Sequence, residues 1–157
     1  MNKQYELLDP VKTESLPNSI QVAFYDLSKP IAGDRWFVRI CCVATLPVSE
    51  GFFENLDEDI EILNAMKISC EDGLTMEIVK ERNFVDEQIK DDVVKMFIDQ
   101  ITVNSLGYMG SKIFPQKLFL SKLEEFKKQY VVQKEMVIRE PLDEDYGPAD
   151  FSACFHD

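Results

Sequence analysis

The sequence predicts an α+β fold: a small antiparallel β-sheet packed against two C-terminal α-helices. Three observations predict it. Apolar residues alternate with period two over residues 20–25 and 35–44, as in half-buried strands. They recur at helical spacing over 89–101 and 119–130. Strand patterns precede helix patterns along the chain, which favours segregated layers over an alternating α/β sheet.

Residues 1–18 are mixed in character, carry Pro10 and Pro17, and read as an N-terminal arm. The single α+β domain is expected over 19–139, and its first feature is a hairpin over 19–47. Ile20, Val22 and Phe24 alternate with Gln21, Ala23 and Tyr25. SKPIAGD, with Pro30 and Gly33, reads as a turn or short loop. In RWFVRICCVATLPV, Trp36, Val38, Ile40, Cys42 and Ala44 line one face; Arg35, Phe37, Arg39, Cys41 and Val43 line the other.

Residues 57–66 are ambiguous. Ile60, Ile62, Met66 and Ile68 alternate as in a strand, but Asp57, Glu58 and Asp59 resemble a helix N-terminus, which favours helix. Glu71-Asp72-Gly73 is a turn signal, and a strand is expected over 74–83. Asp86 can cap the next helix, whose stripe is Ile89, Val93, Phe97 and Ile101. Gly107 and Gly110 punctuate its end, and Pro115 suits the first turn of a second helix. That helix has a stripe of Phe119, Leu123, Phe126 and Tyr130 and lysines elsewhere. Residues 140–157 form an acidic tail with interleaved aromatics and no Lys or Arg, an interaction segment that could dock on those lysines.

Composition narrows the function. The 157 residues fit one domain, long enough to bury a core without disulfides. The formal net charge of -12, with no basic cluster, argues against nucleic acid and anionic membranes. The N-terminus lacks an apolar signal region and no apolar run is long enough to span a bilayer, so a soluble, cytoplasmic protein is expected. Cys41 and Cys42 are adjacent in a strand pattern and point to opposite faces, which suits free buried thiols better than a disulfide or shared metal.

Catalytic inventory is sparse. The sole histidine, His156, is next to the last residue, which leaves no base for a Ser–His or Cys–His nucleophile. There is no CxxC pair for zinc and no GxxxxGK[ST] or GxGxxG phosphate loop; LGYMGSK at 106–112 follows a helix and reads as its terminus. No cofactor is implied. Two carboxylate runs, 57–59 and 143–145, leave a carboxylate-metal hydrolase as a remote alternative, though neither has the EF-hand pattern.

The candidate binding residues are Tyr25, Arg35, Phe37 and Arg39, on the second face of the hairpin. Two guanidiniums beside aromatic rings could hold a carboxylate, a phosphate or an acidic peptide. The competing expectation is that helices cover this face, or that the arginines pair with Glu77 and Glu81. The function expected is a non-enzymatic protein–protein interaction or adaptor module, with a homodimer as one form. The alternative is a regulatory domain binding a small anionic ligand on the Arg35/Phe37/Arg39 face.

Overall fold

The computed structural model describes Tyr5 and residues 8–139, with side chains to residue 136. The acidic tail, with Cys154 and His156, lies outside the described residues. The architecture is α+β: an antiparallel sheet of five strands with its helices packed on one side.

The element order is β1 (Lys12–Ser15), β2 (Gln21–Asp26), β3 (Lys29–Ala32), β4 (Arg35–Leu46), α1 (Ile60–Ser69), β5 (Leu74–Asp86), α2 (Lys90–Ile101), α3 (Gly107–Met109) and α4 (Phe114–Arg139). β4 is the central strand. It pairs with β5 along one edge and with β2 and then β3 along the other, and β1 pairs outside β2. β2 and β3 follow one another beside β4. At the kink between them Leu27 N–H donates to the Arg39 carbonyl at 2.8 Å, and the Ser28 hydroxyl accepts from Arg39 N–H at 3.2 Å. The side chain thus replaces a ladder carbonyl, and pairing resumes beyond it.

Two sequence expectations change. Lys12–Ser15 is not irregular: it pairs with β2, and Leu16 enters the core. Residues 29–32 are a strand, not a loop; Pro30 is tolerated because β3 pairs on one side only. Only Gly33 and Asp34 remain as the turn, with Gly33 at φ +55°.

The even-numbered residues of β4 face inward. Val38, Ile40, Cys42, Ala44 and Leu46 meet Val22 and Phe24 of β2 and Val93, Phe97 and Ile101 of α2 in one buried cluster. Burying each of these larger side chains stabilises the fold by roughly 1.5–3 kcal/mol relative to exposure. Ile89, expected at the head of the α2 stripe, is half exposed, and the buried stripe begins at Val93.

The ambiguous segment is helical over Ile60–Ser69, with the Asp59 carboxylate accepting from Glu61 N–H at 2.9 Å. It packs on α4 in a second cluster with Leu63, Met66, Phe119 and Leu123. Phe119 is fully buried, tilted against Phe52 at 5.2 Å and edge-on to Phe53 at 5.1 Å.

β5 runs three residues past its expected end, to Asp86. Trp36 pairs with Val85 and Val38 with Arg82, so β5 carries one extra residue there, a β-bulge. Phe84 lies in the bulge at φ +55°.

Candidate functional site

The outer face of the sheet carries the odd-numbered residues of β4. Arg35, Phe37 and Arg39 form one row, followed by the buried Cys41 and Val43. Tyr25 sits opposite Cys41 and diagonal to Arg39, and Lys29 sits opposite Phe37. The structure therefore brings the four predicted residues onto one surface. Among the described residues the cluster on this face consists of Tyr5, Cys41 and Val43 with Tyr25 and Leu27 against it, and none of these is helical.

The two arginines differ. Arg35 donates to Asp86 Oδ2 at 2.7 Å and lies 3.5 Å from Asp34. Of the expected partners Glu77 and Glu81, Glu81 pairs with Arg39, whereas the bulge brings Asp86 opposite Arg35. Arg39 reaches Glu81 only at 3.9 Å, and its Nε is buried with no hydrogen-bond partner. Lys29 Nζ lies 5.9 Å from the Phe37 ring centre.

Two aromatic residues were missed by sequence reasoning. Phe84 is 72% exposed although its backbone is left-handed, a conformation that costs a side-chain-bearing residue about 1–2 kcal/mol. A signal existed: inward apolar residues of β5 are even-numbered at Leu74, Met76 and Ile78, but odd-numbered at Val85. That change of parity marks the bulge. Tyr5 had no such signal. It is buried against the outer face, stacked on Tyr25 with centroids 4.9 Å apart. Its hydroxyl lies 3.1 Å from Cys41 Sγ and donates to Glu77 Oε2 at 3.2 Å. Burial, with Cys41 and Glu77 beside it, holds the phenol well above its ordinary range.

The described thiols are free and buried. Burial pushes Cys42 up to about 12 and raises Cys41 and Cys70 as well. They stay protonated at neutral pH, in keeping with packing roles.

The other sequence candidates have local roles. Asp59 caps α1, and Glu58 binds Lys127 at 2.7 Å. Among the described residues no three or more His, Cys, Asp or Glu side chains are placed to share a metal ion. Gly110 follows the short α3 as expected of a helix terminus, whereas Gly107 does not end the helix: helical turns continue from α2 through Thr102–Leu106 into it. The lysine-rich side of α4 is partly neutralised in cis: Lys122 pairs with Glu125, Lys127 with Glu58 and Glu124, and Lys134 with Glu61. No helix of the described residues is long and apolar enough to cross a membrane. No protein-family model, curated protein or solved structure matches the chain.

Proposed function

We propose that this protein is a non-enzymatic interaction module that recognises a protein partner through the β3–β4 end of its sheet. The single observation that carries this reading is Phe84. Its backbone is held in an unfavourable conformation while its ring stays 72% exposed, so the ring adds little to the core in return. Phe37 and the exposed Ile31 add apolar surface at this end of β3 and β4, flanked by Lys29, Arg35 and Arg39. Aromatic anchors beside arginines are the usual composition of binding hot spots. We place the module in the cytoplasm, where free thiols persist, and include a second copy of the chain among the partners this surface could take. The test is affinity capture with wild type and with a Phe37→Ser/Phe84→Ser chain. A partner lost in the double variant but kept by Val131→Ser, on the exposed side of α4, supports the reading; equal recovery from all three removes it.

A second reading rests on the unpartnered Arg39 Nε, which a carboxylate or phosphate oxygen would satisfy. Native mass spectrometry with inorganic phosphate should show an adduct that Arg39→Ala abolishes. An adduct that survives that substitution would place the anion elsewhere.

A further inference from the structure

A second surface, on the helical layer and independent of the reading above, runs along α4. One face of this helix carries Leu118, Lys122, Glu125, Gln129, Val132 and Met136, spaced three or four residues apart. Leu118 is buried in the main core cluster. Beyond it the face borders a cavity of about 140 Å³, walled by Met66 of α1, Cys70 at the end of α1, Leu74 of β5 and Phe126 of α4. Lys122, Glu125 and Gln129, the residues that this face turns toward the cavity, are polar and leave the space between α1 and the start of β5 unfilled. From Gln129 the face continues as a shallow groove past Lys128 and Val132. Val132 and Met136 are 48% and 65% exposed.

The cavity selects a ring. Its size is close to the roughly 150 Å³ of an apolar cavity that binds benzene. Its walls are apolar or carry sulfur, which favours aromatic contacts. At its mouth Lys122 is shared with Glu125 at 2.8 Å. Lys128, along the groove, forms no ion pair among the described residues. In a chain of net charge -12 these two lysines attract an acidic segment to an otherwise repelling surface.

The segment that fits follows α4 directly. Residues 140–157 hold Tyr146, Phe151 and Phe155 among carboxylates, with no Lys or Arg. Helix residues 129–139 span about 15 Å. Extended chain from Arg139 to Phe151 reaches about 40 Å, which leaves length for a reversal. Tyr146 would bring a hydroxyl that apolar walls leave unsatisfied. Phe155 is flanked by Cys154 and His156, but Phe151 follows Asp150. A return antiparallel to α4 puts Asp150 on the side of Lys128. A short tether of this kind gives a roughly millimolar effective concentration, so one ring suffices to occupy the site.

We propose that residues 140–157 dock in cis on this face of α4, with Phe151 seated in the cavity between Met66, Cys70, Leu74 and Phe126 and Asp150 beside Lys128. The groove is then a site for an acidic segment bearing a phenylalanine, and the chain carries its own occupant.

The test is NMR of the full chain enriched with ¹³C at its methionine methyls. Phe151→Leu removes the ring current but keeps an apolar side chain. The Met66 resonance shifts, whereas that of Met109, buried in the other cluster, stays. A nitroxide on Cys154, the one cysteine besides the buried Cys41, Cys42 and Cys70, broadens Met66 relative to the reduced label. The broadening is absent when nitroxide-bearing chain without ¹³C is mixed with enriched chain without nitroxide. A Met66 resonance that Phe151→Leu leaves in place, or that the nitroxide leaves sharp, overturns the proposal. Broadening in the mixed sample assigns the groove to a second copy and overturns docking in cis. Should Phe151→Leu move Met109 as well, the nitroxide on the otherwise unsubstituted chain decides: broadening of Met66 within one chain supports docking, and its absence overturns it.

Discussion

Arg35 Nη1 donates to Asp86 Oδ2 at 2.7 Å, at the point where β5 gives way to the helical layer. The other carboxylate oxygen of Asp86 accepts from Gln88 N–H at 2.9 Å, and Glu87 N–H donates to the Asp34 carbonyl at 2.9 Å. One carboxylate thus caps the turn into α2 and anchors the start of β4. The row of candidate residues begins at a fixed point.

Asp86 makes stability depend on acid. The Gln88 N–H, aided by Arg35, holds its carboxyl below the ordinary 3.8. The stabilisation is therefore complete above that ordinary value and is lost as pH falls through the lower folded value. Urea denaturation of wild type and Asp86→Asn should give a difference at pH 7 that shrinks below pH 3.8. Asp86→Ala, which also removes the cap, should be less stable than Asp86→Asn at pH 7.

Phe84→Gly separates stability from recognition. Glycine accepts φ +55° without strain, and little buried surface is lost. Stability should stay level or rise by up to about 1 kcal/mol, while partner capture falls. A chain destabilised by several kcal/mol would mean that the ring serves the core.

The glycines of the two turns should respond differently to alanine. At Gly73, φ is +94° and an added Cβ would lie 2.8 Å from the Leu46 carbonyl oxygen. At Gly33, φ is +55° but nothing lies within 4 Å of the added atom. Denaturation should show Gly33→Ala costing about 1 kcal/mol and Gly73→Ala about 2–4 kcal/mol, since strain and clash act together.

Tyr5 predicts behaviour in alkali. A phenol whose folded value is raised contributes stability that is fully present below its ordinary 10.0 and is lost as pH rises through the folded value. Ultraviolet titration of tyrosinate should show one step above the ordinary tyrosine range, absent in Tyr5→Phe.

The helical and strand periodicities made the two-layer fold legible, because burial on one side of the sheet imposes them directly. Asp86 was legible as a cap, because capping is local; the carboxylates at 57–59 marked the start of α1, but Asp59 was expected inside the helix and caps it from outside. Residues 29–32 were not, because their strand state depends on β4 and not on their own propensities. The grouping of Tyr25 with Arg35, Phe37 and Arg39 followed from the alternation of β4 and the hairpin. Arg35's partner did not, since the one extra residue of the bulge places Asp86 opposite it where the regular register would place Val85. Tyr5 was invisible for a different reason: its place depends on a long-range contact with β4 and β5, and neighbouring sequence carries no trace of it.

The central claim is that the Phe37–Phe84 end of the sheet is the recognition surface. Its most direct test is a photo-crosslinking amino acid placed at Phe84 and, as a control, at Met96 on the exposed side of α2, with both chains irradiated in cells. The account predicts a discrete crosslinked protein from position 84 that is absent from position 96. Equal adducts from both positions, or an adduct from position 96 alone, would contradict it.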